Sequence, residues 1–455
     1  MTPATVNEKV DLATEALKAL CADYDNGEIA RRFKSEPDFA TNLRRRGMMS
    51  ALAQGLPNTS MEEWRFTPIT RMLEKRFDAP SETATLPQLE ELPRLLALFP
   101  QTLLVVDGFV RRDLSTNFDL PNGVHLTNLR EALNNPELCE DSSWLATHFG
   151  KAVDGELHAL AGLNCALFTD GVVLDVRRDV SVPEPIHLIH VSTGRAASTP
   201  RHIVRVESGA KVTLIESYIG PNDSAYLVNA AIEFFVEESG TIDHYRYQVE
   251  GNQGFHFMTL QARQAKQSNF STQSYSWGGS VVRNDLGTTF DGEYAIGTIN
   301  GVYSIKDDQI MDNHTRIDHA LPNCESHELY RGILDGNSRG VFNGRIFVRQ
   351  DAQKTNALQT NKNLLLSLGA QINSNPQLEI FADDVKCTHG ATVGQLDPTH
   401  LYYLRSRGID LESANRMLIF AFANDLITKI EPDALRRHLE ERTLPAGAAI
   451  EEFEA

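Results

Sequence analysis

The segment DDVKCTHGATVGQLD, Asp383 to Asp397, sets Cys387 and His389 two residues apart just where a β-rich pattern ends. In an extended strand, residues i and i+2 point to the same face, so a thiol and an imidazole are presented together. Both are ligands for iron, zinc or copper. Two ligands cannot complete a four-coordinate site. The pair is therefore either ordinary strand residues or half of a site completed from elsewhere. A second polar run, DNHTRIDHALPNCESHELYRG, carries His314, His319, Cys324 and His327. These types suit zinc, and equally suit hydrogen bonding along stacked turns. Asp307-Asp308 and Asp383-Asp384 supply the paired acids that a carbohydrate lyase or hydrolase would use. Paired acids are also common in solvated turns.

Missing motifs narrow the field. There is no GxxxxGK[ST] loop, so the chain should not hydrolyse ATP itself. GxGxxG after a strand, GxSxG and HExxH are also absent. The 455 residues include 43 basic and 61 acidic side chains, for a net charge of −18. Nucleic acid and anionic membrane both require a basic surface, so neither is an expected partner. No apolar run approaches the ~20 residues of a membrane span, and MTPATVNEKVDLATEAL does not read as a secretory leader. Five scattered cysteines without a CxxC pair fit a reduced, cytoplasmic setting.

Three regions must position these residues. The first, 1–160, reads as mainly helical. Val10, Leu12, Ala16, Leu17 and Leu20 recur at helical spacing, with Asn26-Gly27 as a stop. Ser60 and Glu63 have capping-box spacing, and Pro68 interrupts the helix that follows. Asp78 to Pro93 reads as a loop, TLLVVDGFV as a short strand and LTNLREALNN as a short helix. The second region, 161–396, is rich in β-branched and aromatic segments such as HIVRVESGAKVTLIESYIG, bounded by Gly, Asn and Asp. Without intervening helices a doubly wound sheet is excluded, leaving a sandwich, a barrel or a stacked solenoid. Length favours the solenoid, whose open ends the flanking helical regions would cover. In the third region, 397–455, Asp397 and Pro398 start a helix and Gly408 stops it. The next helix aligns Leu411, Ala414, Leu418, Ala421, Phe422 and Leu426, and Met417, Ile419 and Phe420 widen its apolar surface beyond one stripe. Either a tight bundle or a partner protein covers that extra surface.

Two long segments then carry a family resemblance: DNHTRIDHALPNCESHELYRGILDGNSRGVFNGRIFVRQDAQKTNALQTNKNLLLS and PQLEIFADDVKCTHGATVGQLD. With LYYLRSRGI and IFAFANDLI following in order, and EEWRFTPIT agreeing more loosely, the chain resembles the SufB/SufD family of the SUF iron–sulfur cluster assembly system. The resemblance implies a right-handed parallel β-helix flanked by helical regions. It implies a non-enzymatic subunit paired with a SufB-like paralogue and a SufC-like ABC ATPase. If a partner rather than internal packing covers the extra apolar surface of the C-terminal helix, Met417, Ile419 and Phe420 are the candidate dock for that ATPase. SufB-like chains carry EHEA where this one has CTHGA, and a cluster-building cysteine near Asn361. Its absence points to the SufD branch, whose motif histidine maps to His389, with Cys387 as its interface neighbour. A cluster would then be held only transiently, with no permanently bound cofactor. A reduced flavin is implied for the complex, and no flavin motif is visible. The remaining alternatives are a β-solenoid carbohydrate lyase or hydrolase and a metal-binding homodimer built on His389 and Cys387.

Overall fold

A computed structural model describes residues 13–21, 35–116, 118–135 and 142–443. Two ten-stranded sheets lie face to face, and from residue 172 onward the chain alternates between them. Successive strands of each sheet pair in parallel and in register, as in Asn356–Leu365 on Glu325–Leu334 and Lys386–Gly394 on Asn356–Leu365. The core is thus the expected parallel β-solenoid. Its turns differ in length, since Ile296 pairs with Asn269 whereas Asn356 pairs with Glu325, four residues further along the chain in relative terms. Unequal turns hide the repeat from the sequence.

The pleat decides what lies inside. In Leu227–Val236, the side chains of Val228, Ala230, Ile232, Phe234 and Val236 enter the central core, while Ala231 and Phe235 meet the N-terminal helices. Burial of each large apolar side chain is worth ~1.5–3 kcal/mol, so an alternating strand commits strongly to one register.

The N-terminal region is joined to the solenoid rather than set beside it. Gln101–Val106 pairs in parallel with Ile186–Val191 and turns back as Phe109–Val110. The segment read as one strand is therefore a hairpin. Asp107 and Gly108, at φ 45° and 86°, supply the left-handed pair that such a tight turn requires. Val124–Asn128 closes the other sheet in antiparallel fashion. Leu129–Asn134 is the expected short helix, with Asn128 accepting from the Glu131 amide. Residues 13–21 are helical, whereas Val10, Leu12 and Asn26-Gly27 lie outside the described residues, as does Cys139. The Ser60 capping box does not form: Ser60 donates to Asn58, and only the short helices Glu62–Trp64 and Thr70–Leu73 follow. The stretch read as a loop before Pro93 ends in the helix Glu91–Leu96.

The C-terminal helices do not cover the far end. Pro398–Ser406 starts on Asp397, whose carboxylate accepts from Thr399, and Gly408 adopts φ 89°. Leu411–Ile427 and Asp433–Thr443 then fold back over the outside of the first sheet, the one that contains Glu325–Leu334 and Lys386–Gly394. Ala423, Leu426, Ile427, Leu435 and Leu439 pack on Tyr245, Tyr247, Tyr275, Val302 and Ile333. Arg331 donates to the Phe422 carbonyl and pairs with Asp425. Glu91 accepts from Tyr247 and from His438 at 2.5 and 2.7 Å. Burial opposes the Glu91 charge, but these bonds and Arg442 hold its pKa down to about 2. The expectation that helices would close both ends is corrected by this packing: the helices lie on the aromatic outer face.

Candidate functional site

The solenoid ends on two strands, Gln371–Ile380 and Lys386–Gly394, that have no further partner among the described residues. On the preceding turn the inward residues Ala357, Gln359, Asn361 and Asn363 are almost fully buried. Their register partners are Cys387, His389, Ala391 and Val393. These also face inward, but no later turn covers them. Cys387 is half-buried against the central core, His389 is exposed, and Val393 is 54% exposed. Cys387 and His389 therefore share one face, as their spacing predicts, and that face is the open lumen. Burial pushes the Cys387 thiol up, and the Ala357 backbone only partly offsets this, so it is not a ready thiolate.

Below this end lies a polar layer that sequence reading did not single out. Glu328, Gln359 and His389 stack in register on three successive turns. Glu328 accepts from the Thr315 hydroxyl at 2.5 Å and from Gln359 Nε2 at 2.7 Å. Burial raises its pKa to about 7, against those two hydrogen bonds. Beside it, Asn363 Nδ2 donates to Asn361 Oδ1 at 2.5 Å. The available signal was phase: these polar residues occupy inward positions of their strands.

Deeper in the lumen, the converging ligand atoms of His190, His202 and Glu216 lie within 4.8 Å of one another. Their hydrogen bonds describe a buried carboxylate ringed by donors. Tyr218 donates to Glu216 at 2.8 Å and His244 Nε2 at 3.0 Å. The Val172 amide donates to His202 Nδ1 at 2.9 Å, so a neutral His202 carries its proton on Nε2, the atom facing Glu216. A metal there would have to displace that proton. Burial opposes the Glu216 charge, yet these imidazoles hold its pKa well below the usual range.

The polar run around residues 312–332 does not assemble. His314 faces outward, 2.9 Å from Asp312. His319 lies inside against Ser326 and Phe290, and burial lowers its pKa to about 3. Cys324 is buried with Sγ 3.3 Å from the Gly292 carbonyl, while His327 is half-buried beside Glu325. Hydrogen bonding along the turns is the role they fill. Both acid pairs sit at exposed turns, and Asp384 is tied to Lys354.

On the C-terminal helices, Met417 is half-buried, Ile419 packs half-buried on the sheet, and Phe420 is only 7% exposed. The exposed apolar residues there are Tyr402 at 76%, Tyr403 at 56% and Leu411 at 48%. The helix Pro398–Ser406 buries none of its residues.

Comparison with known proteins places this architecture. Residues 189–422 match the SUF system FeS cluster assembly SufBD core domain, and residues 28–188 the SufBD protein N-terminal region. The chain belongs to the SufBD family. It is 29% identical over 428 residues to the iron-sulfur cluster assembly protein SufD of Escherichia coli, covering 91% of this chain and 96% of that one. Over 461 residues it is 27% identical to SufD of Bacillus subtilis, covering 96% and 98%. A SufBD family protein of Synechocystis is 29% identical over 449 residues, covering 95% of each. This SufBD chain is thus SufD-like along nearly its whole length. Its core match reaches residue 422, inside the helix Leu411–Ile427. No helix among the described residues is long and apolar enough to cross a membrane.

Proposed function

We propose that this chain is a non-catalytic subunit of a cytoplasmic SUF assembly scaffold. Its open solenoid end seats against a SufB-like paralogue, and the nascent iron–sulfur cluster is built at the joint as cargo. His389 supplies a ligand from this side, with Cys387 beside it. The single observation that carries this reading is the uncovered last turn, where Cys387 and His389 face a lumen that nothing in the described chain closes. An imidazole is a borderline ligand that exchanges more readily than a thiolate, which suits a cluster that must be passed on.

A SufC-like ABC ATPase would dock on the C-terminal region. The helix Pro398–Ser406, with Tyr402, Tyr403 and the neighbouring Leu411, offers the exposed apolar surface for it. Met417 and Ile419 on the next helix are half-buried, and Phe420 is buried. The carbohydrate-enzyme alternative gains nothing from acid pairs at exposed turns.

Anaerobic copurification with a tagged full-length chain from its own cells tests the assembly. Mass spectrometry should identify a SufB-like paralogue and an ABC ATPase in stoichiometric amounts. Recovery of the chain with neither would overturn the reading.

A further inference from the structure

Gln359 is a buried amide with one unused end. Its Nε2 is committed to Glu328 Oε2 at 2.7 Å. An ionised carboxylate accepts and cannot donate, so it fixes which end of the amide faces it. Across the lumen Gly344 makes room, since a Cβ there would lie 2.3 Å from Gln359 Nε2. The amide is therefore confined from two sides. Its Oε1 is buried and has no hydrogen-bond partner. Buried carbonyls are normally paired, and leaving one unpaired is costly. On the open side, the residue in register with Gln359 is His389. Adjacent strands lie ~4.8 Å apart, close enough for side chains in register to hydrogen-bond.

We propose that Gln359 is a positioning residue for His389: its buried carbonyl accepts the N–H of one ring nitrogen and turns the other, with its lone pair, toward the open end. Imidazoles that bind metals commonly donate their second N–H in this way, which fixes the tautomer and the ring orientation. The chain Thr315–Glu328–Gln359–His389 then runs from the second sheet to the open end. Thr315 anchors Glu328, Glu328 orients Gln359, and Gln359 orients the ring. What the freed lone pair binds rests on the function proposed above; the orientation itself does not.

The test uses the isolated full-length chain, with histidine labelled by nitrogen-15, at about pH 8, above the Glu328 value of about 7. The His389 signals are assigned by their loss in His389→Ala. Gln359→Leu should shift the His389 tautomer ratio about fivefold, the bias that one net-favourable hydrogen bond gives. Gly344→Ala crowds the amide from the far side and should also shift the ratio, which gives a second route should Gln359→Leu fold poorly. A His389 tautomer ratio unchanged in both Gln359→Leu and Gly344→Ala overturns the proposal. No cluster is needed for this measurement, so its outcome is separate from any failure to load one.

Discussion

At micromolar concentration the isolated chain should sediment as a dimer, and the double substitution Phe381→Asp with Val393→Asp should return it to a monomer. The reason lies in the last turn. Its two edge strands leave a row of unpaired N–H and C=O groups, a template for pairing with any complementary edge. Phe381 and Val393 beside that edge are 59% and 54% exposed, and Ile380 is 39% exposed. At the other end, the short antiparallel strands Phe109–Val110 and Val124–Asn128 close both sheets. Association is therefore expected at one end only, through a self-complementary contact. Like charges placed on both copies should weaken it by at least about a hundredfold, or roughly 2.7 kcal/mol. A monomeric native chain would count against a shared edge.

Phe420→Asp and Tyr402→Asp should have opposite consequences. Phe420 is 7% exposed on a helix whose neighbouring residues pack on the first sheet. An unpaired carboxylate there should destabilise the C-terminal helices by roughly 3 to 5 kcal/mol, comparable to stranding a buried charge. Thermal unfolding should show these helices melting well below the solenoid. Tyr402 is 76% exposed, so Tyr402→Asp should leave the melting temperature almost unchanged while abolishing capture of the ATPase. If Tyr402→Asp, Tyr403→Asp and Leu411→Asp all bind the ATPase normally, the dock lies on another surface.

The solenoid was legible in the sequence because alternation and turn residues are local signals. Val228, Ala230 and Ile232 declare an inward face without knowledge of their neighbours. The Cys387–His389 pair was legible for the same reason, since i and i+2 share a face in any strand. What covers that face is not local. The C-terminal helices had two places to go, and Tyr245, Tyr247 and Tyr275 drew them to the flank. A wide apolar stripe does not by itself reveal that Phe420 lies buried while Tyr402 lies exposed. Glu328 and Gln359 escaped notice because their significance depends on register between turns of unequal length. Gln359 in NALQTNKN looks like any surface glutamine until Glu328 and His389 are stacked on either side of it.

Cluster loading of the reconstituted complex tests the central claim most directly. The native chain and His389→Ala would each be assembled with the SufB-like paralogue and the ABC ATPase, and iron and acid-labile sulfide measured per complex. Because His389 is exposed at the open end, the variant should assemble normally. Its cluster content should fall at least about tenfold, the scale on which loss of a metal ligand or its support is felt. Cys387→Ala, which removes a half-buried thiol held in its neutral form, should lower the content less. Normal iron and sulfide in a fully assembled His389→Ala complex would contradict the assignment of the open end as the cluster-building site.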